Sequence, residues 1–292
     1  MLTAKAMAEF GIEVQDNIGV YSQNMPQCFY TDFGAYANRV VSIPMYATNS
    51  PGQIEYIIND AHIHTLFVGE QLQYNNAFKV QKESQYLKRL VVFDPAVKLN
   101  PEDKTSIYFD DFLRLGDNAH AETTVKIRTN EAVPEDLATI IYTSGTTGES
   151  KGVMLHHSNY LEAMRIHDIR LPMVTDKDLS MCFLPLTHIF EKAWSYYCLH
   201  KGVTIAINQD PKMIQKILEY ACELTRQATY NMDIIDSNIV RTTDGRVLMS
   251  LSELSMTAQY NPVHSEHLTA ESTYTIRNNA YSFGCTFAEV EV

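Results

Sequence analysis

What this sequence has little of sets the first limits on it. Cysteine occurs five times, at Cys28, Cys182, Cys198, Cys222 and Cys285, an odd and scattered set with no Cys-x-x-Cys pair. A disulfide framework and a structural zinc site both need closely spaced, paired cysteines. Neither is expected, and a reduced, cytoplasmic setting is. No run of about 18 apolar residues occurs, so no helix is expected to span a membrane, and only peripheral membrane contact stays open. Residues 1–10 lack the basic, then apolar, then small-residue order of a secretory signal. Positive charge is also scarce: 23 Lys and Arg stand against 35 Asp and Glu, a net charge of −12. A nucleic-acid partner needs a basic face, so nucleic acid is excluded as a main partner.

What is present is a globular composition. Of 292 residues, 45% are hydrophobic and 20% charged, enough to bury a core. Residues 2–10 have helical spacing and end at Gly11. Residues 18–21, 40–43, 65–68 and 90–93 are short β-branched strands, and residues 28–38, 50–61 and 72–86 between them read as helices. Ser50, Pro51 and Gln53 form a helix start with a capping box. Such alternation predicts an α/β fold with a parallel, doubly wound sheet, whose ligands bind beyond the C-terminal strand ends. Residues 94–136 are polar and proline-punctuated, and read as a surface connection with one short helix near 110–115. Further on, residues 153–155 and 179–184 read as strands, and residues 158–169 as a helix begun at Ser158.

Residues 140–152 stand out. The apolar run at 137–142 reads as a buried strand. Thr143, Ser144, Gly145, Thr146, Thr147, Gly148, Ser150 and Lys151 then follow within nine positions. Glycines let backbone N–H groups approach an anion, hydroxyls donate to phosphate oxygens, and lysine adds a mobile charge. The stretch is not a Walker A loop, which would place glycine at Ser150 and Ser or Thr at Gly152. By residue type alone, an ordinary Gly/Ser/Thr turn between strands remains an alternative. The order of residues, Tyr-Thr-Ser-Gly-Thr-Thr-Gly-x-x-Lys-Gly, resembles the phosphate-loop signature of the adenylate-forming enzymes, which include acyl-CoA synthetases, luciferases and peptide-synthetase adenylation domains.

Two further stretches support that resemblance. Residues 41–50 resemble the strand, turn and capped helix that the family carries ahead of its loop. Leu184-Pro185-Leu186-Thr187-His188-Ile189-Phe190-Glu191-Lys192 resembles the next family motif in its long-chain fatty acyl-CoA synthetase form. Physically this is a strand end followed by a helix beginning near Thr187. His188 there caps the helix, packs, or lines a site. Glu191 and Lys192 are expected to be surface or ion-paired residues, and Trp194, Tyr196 and Tyr197 core. Gly202 ends the helix and residues 203–208 form a strand.

The resemblance covers about residues 1–216. It implies activation of a fatty acid by MgATP as an acyl-adenylate, with transfer to CoA; ATP, Mg²⁺ and CoA are thus the implied cofactor and co-substrates. It implies that Thr143, Ser144, Gly145, Thr146, Thr147 and Gly148 hold the β- and γ-phosphates, that Lys151 neutralises the departing pyrophosphate, and that His188 borders the acyl-adenylate site. No metal-ligating residue is assigned. The family's Tyr-Gly-x-Thr-Glu motif, its ribose-binding aspartate and its C-terminal catalytic lysine do not occur in residues 217–292. That tail more faintly resembles a degraded protein-kinase lobe. Asp233 and Asn238 keep the spacing of the kinase catalytic loop, and residues 281–289 resemble a kinase helix with Asn279 at its aspartate position. The expected protein is a truncated, weakly active or inactive relative of a long-chain fatty acid–CoA ligase. A non-catalytic nucleotide- or partner-binding module, or a fusion from an erroneous gene model, are the alternatives. The start at Met1 inside a helix and the stop at Val292, just inside an apolar helix at 285–290, would fit the last of these, an erroneous gene model. A sheet left uncovered, with poor solubility of residues 1–216 alone, is expected with it.

Overall fold

The structure, a computed structural model, describes residues 1–143 and 149–208 and, beyond them, four strands. It divides into two compact units, residues 1–163 with 185–187, and residues 164–184 with 188–292. Each is described by itself.

The first unit alternates as the sequence predicts: α1 (Leu2–Glu9), β1 (Asn17–Tyr21), α2 (Pro26–Ala37), β2 (Val41–Met45), α3 (Pro51–Asp60), β3 (Thr65–Val68), α4 (Gln71–Glu83) and β4 (Arg89–Val92). After β5 (Ile107–Tyr108), α5 (Phe109–Leu115) and α6 (Ala119–Asn130) come β6 (Leu137–Thr143) and β7 (Lys151–His156). The sheet order is β5-β4-β3-β1-β2-β6-β7. All pairs are parallel except β6 with β7, which is an antiparallel hairpin. The chain steps from β1 to β2, then returns past β1 to β3. Right-handed crossovers in opposite directions put helices on opposite faces, which makes the sheet doubly wound.

Alternation along the strands divides the core. Val41, Ile43, Met45, Leu66, Val68, Leu90 and Val92 pack with Ile54, Ile57 and Ile58 of α3 and Tyr74, Ala77 and Val80 of α4. Phe67 points the other way and meets Phe112 of α5 edge-on, 5.4 Å between ring centroids. Both faces of β1 to β4 therefore bury apolar side chains. Among the described residues, β1 to β4 have no bare face, while β7 is exposed, with Val153 at 47% and Met154 at 65%.

The polar connection holds a second helix, α6, that the sequence reading did not place. Ala121 and Val125 on α6 are fully buried, four residues apart on one face. Below them Arg128 donates to the Ile12 carbonyl at 2.7 Å and to Asn38 Oδ1 at 3.2 Å. An arginine satisfied by backbone and side-chain acceptors completes a buried face that apolar patterning alone under-reports.

Within the second unit, β8 (Leu179–Cys182) and β9 (Thr204–Ile207) pair in parallel, joined by α8 (Ile189–Lys201); α7 (His157–Arg170) is divided between the two units at residue 163. Gly202 ends α8 in the left-handed region at φ 75°, as its C-cap role predicts. Farther on, β10 (Ile239–Arg241), β11 (Val247–Leu251), β12 (Ile276–Ala280) and β13 (Thr286–Val290) form an antiparallel sheet in the order β10-β11-β13-β12. The helix expected at 285–290 is corrected by this: Thr286–Val290 is a strand between two others. Its threonine, phenylalanine and valine favour extended backbone, and neighbouring strands decide between the two. Asp233 and Asn238 of the kinase-like reading lie outside the described residues.

Candidate functional site

The site is built around the β6–β7 hairpin. β6 enters the sheet with only one backbone register pair to β2, Ser42 with Thr139. Side chains supply the rest of its placement. Arg39 Nε and Nη2 donate to Asp136 Oδ2 and Oδ1 at 2.7 and 3.1 Å, a two-pronged ion pair just ahead of β6. Leu137 N–H donates to Gln15 Oε1 at 3.1 Å, and Gln15 Nε2 donates to the Arg39 carbonyl at 2.7 Å. Tyr36 and Thr139 share a hydroxyl hydrogen bond of 2.8 Å. Beside Arg39, the Asp136 carboxyl is held below the usual carboxylate range.

β6 is parallel to β2 and ends at Thr143, so Thr143 lies at the C-terminal edge of the sheet, where ligands of open α/β sheets bind. Lys151 is its partner across the hairpin, and Tyr142 pairs with Gly152. Thr143 and Lys151 are both exposed. The structure thus brings together a hydroxyl donor and an ammonium donor at the hairpin mouth. Ser144, Gly145, Thr146, Thr147 and Gly148 lie outside the described residues. At Gly152 a Cβ would come within 2.7 Å of the Ile140 side chain and 3.2 Å of the Tyr142 ring, so glycine is needed for the hairpin arms to close.

The hairpin is also tied to α3, which the sequence reading did not assign to the site. The Tyr142 hydroxyl donates to Asp60 Oδ2 at 2.5 Å, and the Tyr56 hydroxyl donates to the Ser150 carbonyl at 2.9 Å. The two tyrosine rings meet edge-on, 6.4 Å between centroids. Tyr56 and Asp60 are four residues apart and share one helical flank, beside the core stripe of Ile54, Ile57 and Ile58. That spacing was the available signal. A pocket of about 220 Å³ behind the hairpin, lined by Asp60, Tyr142, Gly152 and Met154, reaches Asn17 at the start of β1. It is smaller than the roughly 300–1,000 Å³ of most ligand sites and lies by the opening of β1, so it is not the candidate site.

His188 belongs to the second unit. The helix begins at Ile189, two residues after Thr187, and His188 is its N-cap: Nδ1 accepts the Phe190 N–H at 3.2 Å. An accepting Nδ1 puts the proton of the neutral ring on Nε2, which leaves an outward N–H donor on an exposed residue. Glu191 and Lys192 correct the expectation of surface residues, for each is 1% exposed. Glu191 Oε2 accepts the Leu184 N–H at 3.2 Å and Oε1 accepts the Ser195 hydroxyl at 3.1 Å. Burial pushes the Glu191 carboxyl up to about 7, against the lowering effect of hydrogen bonds from Cys182, Ser195 and two backbone N–H groups. Lys192 Nζ donates to the Tyr196 hydroxyl at 3.1 Å. Tyr196 and Tyr197 are core residues, as expected.

Among the described residues no group of three or more His, Cys, Asp or Glu could hold a metal ion, and no helix is long and apolar enough to cross a membrane. A family model described as AMP-binding enzyme matches residues 2–255. The chain is 32% identical over 195 residues to fatty acyl-CoA synthetase A of Dictyostelium discoideum, covering 64% of this chain and 28% of that protein. It is 30% identical over 204 residues to long chain acyl-CoA synthetase 3 of Arabidopsis thaliana, covering 67% and 30%. The chain therefore spans about 30% of the length of these curated relatives. In fold it is similar to the anthranilate CoA ligase AuaEII in complex with anthranoyl-AMP, with a TM-score of 0.62 and 16% identity over 74% of this chain and 40% of that one. It is likewise similar to a red-emitting luciferase from Phrixothrix hirtus, with a TM-score of 0.61 and 20% identity over 72% and 39%.

Proposed function

We infer what this chain does from one premise: it belongs to the family of AMP-binding enzymes. Our reading is that it carries the phosphate-gripping part of a long-chain fatty acid–CoA ligase. The observation that supports it best is the pairing of exposed Thr143 with exposed Lys151 at the C-terminal end of β6. The fit with a polyphosphate is chemical. A hydroxyl and an ammonium donor stand at the one sheet edge where an α/β fold presents its ligands, and Thr146, Thr147 and Ser144 lie in the connection between them.

In this reading Thr143, Ser144, Gly145, Thr146, Thr147 and Gly148 hold the β- and γ-phosphates of ATP. The fatty-acid carboxylate attacks the α-phosphorus, pyrophosphate leaves, and Lys151 neutralises its charge. The chain's contribution is positioning and charge stabilisation rather than covalent chemistry. From its motif alone, His188 is proposed to border the acyl-adenylate. Magnesium would travel with the phosphates, and CoA would take the acyl group. No acidic set among the described residues fits the metal, so no residue is assigned to it.

The test is fatty-acid-dependent pyrophosphate release from MgATP by the purified chain, with Lys151→Ala as control. Release that falls at least about 100-fold in the variant is expected of the ligase reading, that being the scale of one oxyanion-stabilising group. No release, with ATP affinity that still depends on Lys151, would replace it with a nucleotide-binding module that does not turn over. No ATP affinity at all would remove both.

A further inference from the structure

We propose that Tyr56 is the positioning residue of the phosphate hairpin: its hydroxyl holds the Ser150 carbonyl, and with it the backbone that leads into Lys151. The inference rests on the phosphate reading for its ligand consequence, and on geometry alone for the hold itself.

The register of β6 with β7 ends at Thr143 and Lys151. Ser150 lies just outside that register, next to Lys151, and its carbonyl accepts from the Tyr56 hydroxyl at 2.9 Å, from 94 residues away in sequence. The other arm is tied to the same helix, since Tyr142 donates to Asp60. One α3 side chain thus donates to the returning arm while another accepts from the outgoing arm. The helix that carries both is itself fixed. Ile54 and Ile58 are fully buried, Ile57 is 4% exposed, and Ser50 and Gln53 form the capping box that starts it. A rigid helix bearing two anchors one turn apart sets the width and direction of the hairpin mouth, the pre-organisation that a polyphosphate site requires. Partial burial and the neighbouring Asp60 and Glu149 carboxylates push the Tyr56 hydroxyl upward, so it stays a protonated donor through the neutral range. If Tyr56 acted only by packing, phenylalanine would serve as well, and this is the difference to be measured.

The experiment compares wild type, Y56F and K151A as full chains, by amide hydrogen exchange of peptides spanning residues 143–152 and by MgATP titration. Y56F is expected to speed exchange in the hairpin peptides about fivefold and to weaken MgATP binding by a similar factor, the scale of one hydrogen bond. Peptides from α3 and from β1 to β4 should be unchanged. Wild-type exchange in the Y56F hairpin overturns the proposal, and so does faster exchange accompanied by unchanged MgATP affinity. Loosening that spreads through α3 and β1 to β4 also overturns it, because the role would then be general packing. If wild type does not bind MgATP, or K151A binds it equally well, the phosphate reading falls while the exchange data still decide whether Tyr56 holds the hairpin.

Discussion

Single residues carry the sharpest pH signatures in this chain. Glu191 is a carboxyl with its folded-state pKa raised from an ordinary 4.5 to about 7 by burial. A raised carboxyl is more easily protonated in the folded state, so its contribution is most favourable below the ordinary value. It declines as pH rises from about 4.5 to about 7 and is flat above that. The full decline corresponds to about 3 kcal/mol at 1.36 kcal/mol per unit. Glu191→Gln keeps an acceptor for the Leu184 N–H and removes the charge, so urea midpoints of the variant between pH 5 and 8 should lose that slope. A slope that persists in the variant would assign it to another group. Asp136 works in the opposite sense. Its pKa is depressed beside Arg39, so its stabilisation is present above the ordinary carboxylate range and is lost as pH falls through the lower folded value. Asp136→Asn should cost about 2 kcal/mol at pH 7, since a charge-assisted, two-pronged bond is weakened and Arg39 keeps only the more distant Glu131, at 3.7 Å, as an ion-pair partner; equal urea midpoints for variant and wild type would count against it. The string Phe190-Glu191-Lys192 was legible as a motif, but its burial was not. Charged residues are ordinarily outside, and only Leu184, Ser195 and Tyr196 placed around these two show how they are satisfied.

At the scale of elements, α3 is the part most fully written in local sequence. Ser50, Pro51 and Gln53 predict its start, and Gln53 N–H reaches Ser50 Oγ at 3.4 Å while Ser50 N–H reaches Gln53 Oε1 at 2.8 Å. Ser50→Ala should cost about 1 kcal/mol in global stability. Because α3 carries Tyr56 and Asp60, it should also raise hairpin exchange more than a stability-matched change in α4 does; equal effects would deny α3 that platform role. The strands β1 to β4 were legible because β-branched runs bounded by turn residues have few other readings. α6 was not, because its buried face is made of small residues and an arginine. The strand β13 was not, because five residues of mixed character take their conformation from neighbours. β7 presents exposed Val153 and Met154 on the hairpin's outer strand. Val153→Lys should lower self-association in light scattering while changing stability by no more than about 0.5 kcal/mol. Unaltered scattering would place the sticky surface elsewhere.

Across the whole molecule, alternation predicted a doubly wound sheet but not the order β5-β4-β3-β1-β2-β6-β7, because long-range strand choice has no local signature. The loop's place at a strand's C-terminal end did follow from the fold class alone, since parallel strands put all such ends on one edge. Composition bears on how that edge meets its ligand. The chain carries a net charge of −12, and ATP is itself an anion. A close contact of the kind proposed between Lys151 and a phosphate acts within the Debye length of about 10 Å at 0.1 M salt and is weakened only in part by it. Repulsion from the other acidic residues acts over longer distances and is screened first. The two effects oppose one another, and long-range repulsion should dominate at low salt. MgATP association should therefore speed up between about 10 and 100 mM KCl, and in K151A, where the local attraction is gone, it should speed up more steeply. A rate that falls with salt in the wild type would mean that local positive charge at the hairpin outweighs the acidic whole.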